Sequence, residues 1–268
     1  MKTARRLALA VLLVAAGLSL GATWLSPASY RTQFREAPNA PPSRQHLLGT
    51  DATARDRFSR LLYGTRISLS LAPAAAAIST FLAVLLGGLS GYLGGAWMRV
   101  GMAITDLFLS LPWIFLLITV RALLPLNVSP LTSVIITFLI LGMLGWAGSA
   151  RVLCAASQSL RTSAFVLQAR ASGLHGVRLF VFHVLPNLKP VLLAQFWISI
   201  PVFILSEANL SILGLGVAEP LPSWGSLLRE LEGLLSFQQE PWKLAPLLLL
   251  VMVVTSFQLV LSNEETAA

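Results

Sequence analysis

Six long apolar stretches constrain this chain more than any other feature. They run roughly over Leu7–Leu25, Ile67–Leu93, Val100–Leu123, Leu131–Ala150, Pro190–Leu213 and Leu244–Ser262. Each is long enough to supply the about 20 helical residues that the hydrocarbon core of a bilayer demands. No stretch has the two-residue alternation of an outer-membrane barrel strand. Lipid cannot satisfy open backbone groups, so helices are predicted. Composition agrees, with 56% of the 268 residues hydrophobic and only 11% charged, against about a quarter charged in a soluble domain. A water-soluble enzyme, a disordered chain and a disulfide-stapled domain are thereby excluded, and the single Cys154 cannot form an internal disulfide. The expected fold class is all-α, a polytopic membrane bundle of about six transmembrane helices.

The first stretch has two readings. Basic Met1–Arg6 followed by an apolar run also fits a secretory leader. The run continues through Trp24 and Leu25, which favours a retained helix. Three connections separate the spans. Ser26–Arg66 is Pro-rich, with seven Arg and three acids; Arg151–Lys189 has five Lys or Arg and no acid; Val217–Lys243 holds four Glu against Arg229 and Lys243. The net charge of +8 would suggest nucleic acid in a soluble protein. In a membrane chain it reflects topology and contact with anionic lipid, so the expected partner is the lipid membrane and not nucleic acid. With the N-terminus inside, inner segments carry nine cations and outer segments ten. The tie comes from Ser26–Arg66, much of it remote from a span end. The basic N-terminus and the wholly basic 151–189 loop favour a cytoplasmic side for both.

Covalent chemistry finds no support. The three lysines follow Met1, Leu188 and Trp242, so no phosphate-cradling P-loop is present. There is no His-Glu-x-x-His or Cys-x-x-Cys, and His46, His175 and His183 have no carboxylate at ligand spacing. Neither a nucleophile elbow nor an internal repeat is found. No metal site, no cofactor bound by this chain and no enzyme activity are expected.

The 151–189 loop is the most informative segment. It reads Leu167-Gln168-Ala169-Arg170-Ala171-Ser172-Gly173, then nine residues, then His183-Val184-Leu185-Pro186-Asn187. This resembles the EAA loop of ABC importer permeases, E-A-A-x-x-x-G, nine residues, I-x-L-P, and the His is similar to the peptide/nickel subfamily's H-I-L-P-N. Further segments agree. His46-Leu47-Leu48-Gly49-Thr50-Asp51 resembles H-P-L-G-T-D, and Ser59–Leu69 resembles S-R-L-L-Y-G-A-R-I-S-L. Thr105-Asp106 through Pro112 looks like T-D-x-x-x-x-x-P. Glu207–Val217 resembles E-A-A-L-S-F-L-G-L-G-V, and Pro222-Ser223-Trp224-Gly225 continues it.

The resemblance implies a type I ABC importer permease in the cell's inner membrane. It would divide into 1–65, an N-terminal helix with an external segment; 66–262, the permease domain; and 263–268, a short tail. Its implied partners are a second homologous permease, two cytoplasmic ATPase subunits that bind the ATP, and an extracytoplasmic solute-binding protein facing 26–66 and 217–243. The cargo would be a peptide or a related small solute, with a nickel chelate as one case.

The loop also has a reading of its own. Residues 164–172 suit a short helix, with small Ala169 and Ala171 permitting close approach, and Gly173 suits a C-cap with positive φ. Residues 177–185 suit a second helix, with Gly176 as N-cap and an end near Pro186. The expected coupling residues are Leu167, Gln168, Ala169, Gly173, Arg178, His183, Leu185, Pro186 and Asn187. The family's Glu and first Ala are here Leu167 and Gln168, and Ala54 replaces a Gly. With the acidic Asn263-Glu264-Glu265 tail, Leu167-Gln168 motivates an alternative, a non-transporting scaffold built on the permease fold.

Asp106 and Glu207 lie within apolar stretches, where an acid costs about 2.5–3.5 kcal/mol at mid-bilayer. Each is either a pathway group or an acid satisfied by a neighbouring helix. Gly87, Gly91 and Gly95 recur at the four-residue spacing of close helix packing, within the chain or against a second permease. Pro112, Pro201 and Pro246 are expected to bend helices, and Trp97, Trp113 and Trp224 to anchor at the membrane interface. His175 and His183 are expected as surface or packing residues.

Overall fold

The computed structural model describes residues 2–123, 128–231 and 240–265. Parts of the expected acidic connection (232–239) and tail (266–268) lie outside these. Regular structure among the described residues is helical, with two isolated bridges, Gln33–Arg55 and Thr50–Asp56. In order the helices are α1 (Lys2–Leu20), α2 (Ala22–Leu25), α3 (Arg57–Ala83), a π segment (Val84–Gly88), α4 (Leu89–Leu93), α5 (Gly95–Ser110) and α6 (Trp113–Leu123). There follow α7 (Pro130–Leu144), α8 (Ala147–Arg161), α9 (Ala164–Ala171), α10 (Gly176–Leu179), a second π segment (Phe180–Val184), α11 (Leu185–Asn187) and α12 (Lys189–Ile212). The last are α13 (Trp224–Arg229), a 3-10 turn (Pro241–Leu244) and α14 (Ala245–Glu265).

Five helical runs are long and apolar enough to cross a membrane: Thr3–Leu20, Arg57–Leu93, Pro130–Arg161, Lys189–Ile212 and Pro241–Leu261. The pair α5 and α6 is a sixth candidate, bent by 87°. Val100–Leu123 is therefore not one straight span. Leu111 is extended at φ −82°, ψ 132°, as the residue before Pro112 must be. The second run starts at Arg57, ten residues before the expected Ile67, because Asp56 Oδ1 accepts the Ser59 N–H at 2.7 Å and caps the helix. The expected boundary at 65/66 thus falls inside α3. Similarly, α8 carries the fourth run on to Arg161, so residues 151–161 are helix and not loop. Pro201 lies inside α12. Pro246 occupies the first turn of α14, where its missing N–H leaves nothing unmade, and it does not interrupt the helix.

Packing groups the chain into two units. One comprises Met1–Ala72, Arg121–Phe138 and Pro201–Ala268; the other comprises Pro73–Val120 and Leu139–Ile200. In the first, α1 lies along α14. Trp224 is fully buried, and its Nε1–H donates to Thr65 Oγ1 at 2.9 Å. It is a core residue and not the expected interface anchor, because the Ser223 capping box turns α13 and its indole inward beside Thr65 and Ser68. Trp97 is exposed, as an interface residue would be. In the second unit, Ala83, Trp146, Ala147, Ala150 and Leu153 form one core, with Phe108 stacked near Trp146 at 5.1 Å.

Candidate functional site

The loop after α8 is a compact hairpin of short helices in the second unit. α9 ends in a paired C-terminal motif: Leu174 N–H donates to Ala169 O at 3.1 Å and Gly173 N–H to Arg170 O at 3.0 Å. Gly173 supplies the required positive φ, +88°. The next helix begins with His175 as N-cap and not Gly176, which itself has φ +59°. That helix does not end at Pro186. It widens into the π segment Phe180–Val184 just before the proline, passes through α11, and turns at Leu188 into α12. A π turn shifts the hydrogen-bond pattern where proline has no N–H to give.

The inward face is apolar. Val166, Ala169, Leu179, Phe180, Val184 and Leu188 pack with Tyr92, and partly buried Leu89, Leu93, Leu160 and Leu192 surround them. The Arg170 guanidinium sits over the Tyr92 ring at 5.7 Å, a cation–π contact. The loop therefore rests on the ends of α4, α8 and α12 together. Beside it is an apolar groove of about 570 Å³, whose lining includes Val84 and Leu85 of one π segment and Phe180 and Val181 of the other.

The outward face separates the expected coupling residues. Leu167 (52% exposed), Gln168, Gly173, Arg178, Pro186 and Asn187 face out. Ala169 does not: it is buried in the cluster, so the close approach it permits is to its own unit. Leu185 and His183 are half-buried, and Asn187 Nδ2 donates to His183 O at 2.7 Å. Phe165, Val177, Val181 and Phe182 are also exposed on the same hairpin. Sequence reasoning missed them, although Val177 and Val181 at helical spacing, followed by Phe182, could have shown a second apolar stripe. An exposed apolar patch of this kind marks an interaction surface.

The helices beneath the hairpin meet through glycine. A Cβ on Gly87 would lie 2.0 Å from Ala150 O, and one on Gly91 would lie 2.5 Å from Cys154 O. Gly95 does not share this face. It follows the break at Gly94 (φ +69°), has φ +57° itself, and a Cβ there would meet nothing within 4 Å. Asp106 pairs with Arg151, and both side chains are 57% exposed, so in water the pair would be worth little. Glu207 is fully buried in the other unit and accepts hydroxyl donors from Ser211 at 2.6 Å and Ser223 at 2.7 Å. It thereby fastens α12 to the cap of α13.

The acidic and basic connections expected to face a binding protein are joined by ion pairs. Arg55 Nη1 donates to Glu219 Oε2 at 2.6 Å, Arg60 Nη2 to Glu219 Oε1 at 2.9 Å, and Arg57 Nη1 to Glu230 Oε2 at 2.6 Å. Arg55 Nε also donates to Asp51 at 2.8 Å, and His46 Nδ1 lies 2.9 Å from Asp56. Asp51 Oδ1 accepts from the Thr53 and Arg55 N–H groups and closes a tight turn. Ala54, in place of the family's Gly, sits in that turn at φ +60°. Burial pushes the Glu219 carboxyl up, but hydrogen bonds and charge from Arg60 and Arg55 outweigh it and hold it below the ordinary range. Asp51 is lowered against the same burial by the Arg55 N–H and the Thr53 hydroxyl. For Glu230 burial wins over Arg57 and Arg60, and its pKa is raised. This network was not foreseen, because its partners lie about 160 residues apart in the chain.

The described residues thus form membrane-length helices joined by a compact interhelical hairpin. Comparison with known proteins supplies the class. The family described as binding-protein-dependent transport system inner membrane component matches residues 83–262. The chain is 33% identical over 227 residues to the oligopeptide transport system permease protein OppC of Bacillus subtilis (strain 168), covering 85% of this chain and 72% of that one. It is 35% identical over 227 residues to the nickel transport system permease protein NikC of Escherichia coli (strain K12), covering 84% and 79%. With the dipeptide transport system permease protein DppC of Bacillus subtilis (strain 168) it shares 33% over 207 residues, 77% and 63% of the two chains. The chain belongs to this family of inner-membrane components, as a multi-pass permease of an ABC importer.

Proposed function

We propose that this chain forms half of the translocation pathway of an ATP-driven importer for peptides or a related small solute, a nickel chelate included. The names of its relatives, oligopeptide, dipeptide and nickel permeases, support that cargo class. A second homologous permease supplies the other half. Two cytoplasmic ATPase subunits bind the ATP, and an extracytoplasmic solute-binding protein delivers cargo to the side bearing 26–56 and 217–231. The N-terminus and residues 164–187 face the cytoplasm.

The observation that carries the coupling role is the two-faced hairpin. Its inner side is packed on the ends of α4, α8 and α12, and its outer side exposes Phe165, Leu167, Val177 and Phe182. An ATPase groove that covers the outer side moves the hairpin as a body when ATP binding closes the ATPase pair. Packed interiors transmit such displacement because they are dense. The ATPases thereby bias the membrane helices between two states, through differential binding to each. Asp106 and Glu207 serve positions along these moving helices, and Gly87 and Gly91 keep α8 close to the first π segment and α4.

Uptake by proteoliposomes holding the whole complex tests this reading. Solute accumulation should require ATP and binding protein, and Gly173→Pro should abolish it, since proline cannot take φ +88°. Leu167→Asp should reduce co-purification of the ATPase by about tenfold or more. Undiminished co-purification would remove Leu167 from the contact. An intact complex without ATP-dependent flux would instead establish a scaffold.

A further inference from the structure

The first unit contains a buried cation with no counter-ion among the described residues. Arg121 stands in the last turn of α6 and is 1% exposed. Among the described residues its one hydrogen bond runs from Nη2 to Ser133 Oγ at 3.0 Å. Nε and Nη1 have no partner among the described residues, and no carboxylate there lies within ion-pair distance. A guanidinium cannot shed its charge in a protein, so the penalty of burying it remains uncompensated. The helix C-terminus is favourable for a cation but satisfies none of its N–H groups.

A run of polar groups leads from this site toward the buried Glu207. Ser133 Oγ donates to Gly216 O at 3.3 Å. Gly216 lies so close to Ser211 that a Cβ would fall 1.8 Å from Ser211 Oγ. Ser211 in turn donates to Glu207 Oε1, which also takes the Ser223 hydroxyl. Glu207 is therefore tied to hydroxyls and does not neutralise Arg121.

We infer that Arg121 receives a carboxylate of the transported solute. The inference rests on the importer reading and names the chemistry its cargo must carry. A free peptide brings one carboxylate and needs no metal to meet a guanidinium through charge-assisted hydrogen bonds. A permanent neighbour would contact a guanidinium left open at the surface of the isolated chain. This one is covered within the chain, so its partner reaches it only when the helices move, as a passing solute does. The site is closed in this structure.

The test uses the complete reconstituted complex with alanyl-alanine and its C-terminal amide, for the wild type, Arg121→Gln and Arg121→Lys. Wild type should take up the acid in preference to the amide. Arg121→Gln should lower uptake of the acid by at least tenfold and leave the amide unchanged, and Arg121→Lys should recover part of the loss. An equal fall for acid and amide, or no fall, overturns the inference. So does a complex that loses its second permease on Arg121→Gln, because the missing carboxylate then belongs to that subunit.

A second measurement stands apart from transport. Acetate should raise the melting temperature of the purified wild-type complex and not that of Arg121→Gln; an equal response refutes the site. If wild type carries neither peptide, the peptide reading fails, and the acetate comparison decides the carboxylate site by itself.

Discussion

Gly87→Ala tests most directly the packing that supports the hairpin. The new Cβ would lie 2.0 Å from Ala150 O and 2.6 Å from Ala150 C and Cα. Ordinary contact begins at 3.4 Å, so α8 and the π segment must separate by about 1 Å to admit it. The obstacle is main chain, which no rotamer change can clear. Overpacking of this kind costs about 1–3 kcal/mol, and the upper half of that range applies here. Alanine's better helix propensity returns about 0.5–1 kcal/mol. The net loss should therefore be about 1–2.5 kcal/mol. Gly148→Ala is the matched control, because Gly148 lies on α8 with nothing within 4 Å of its would-be Cβ. It should gain the propensity term alone. Thermal unfolding of the detergent-purified complex should give shifts of opposite sign for the two variants, and ATP-driven uptake should fall for Gly87→Ala only. A melting temperature for Gly87→Ala at or above wild type would refute the close approach of α8 at this point.

Three further outcomes follow from the first unit. Glu219→Gln leaves Arg55 and the fully buried Arg60 with weaker partners. Truncating a buried pair costs about 3–5 kcal/mol, but Glu219 is 53% exposed, so solvent screening reduces the expected loss to about 1 kcal/mol. Because the folded-state pKa of Glu219 is depressed, its contribution is complete above the ordinary 4.5 and is lost as pH falls below that through the folded value. Wild type and variant should thus converge in acid, and a constant offset at every pH would remove the charge from the explanation. Glu230 has the opposite sign. Its raised pKa makes folding less favourable as pH rises from 4.5 through the folded value, so Glu230→Gln should narrow the pH dependence on that side in thermal melts. Trp224→Phe keeps the ring packing and breaks the bond to Thr65; a loss of about 1–2 kcal/mol is expected by thermal melting, and a neutral result would mean that the indole N–H is not satisfied there.

The helical membrane class was legible because hydrocarbon admits few alternatives, and α12 matched its predicted span almost residue for residue. What failed at the ends failed for local reasons. Hydropathy falls at Arg57 and at Arg151, yet α3 begins with a cap at Asp56 and α8 continues through polar residues to Arg161. Hydrogen bonding, not hydrophobicity, decides where a helix stops once it leaves lipid. Gly95 matched a spacing but not a face, because Gly94 breaks the helix just before it. Trp224 was misassigned because residue type says nothing of a partner 159 positions away. Gly173 was legible, since a positive φ after a short helix is a local demand of the backbone.

The hairpin also explains which departures from the EAA pattern the fold can bear. Leu167 and Gln168 stand where the family has Glu and Ala, and both side chains face outward. The matched positions are the ones that geometry requires: Ala169 is buried against Tyr92 and Phe180, Gly173 needs φ +88°, and Leu185 packs partly inward. A larger residue at 169 would lift α9 from its seat, whereas a change at 167 alters only what a partner meets. The change from an acid to Leu167 therefore makes an exposed position apolar and leaves the seat intact. Phe165, Val177 and Phe182 extend the same apolar character across the outer face. Under the proposed coupling role, this continuity calls for a partner groove that is itself apolar, and a Leu at 167 is what such a groove would accept.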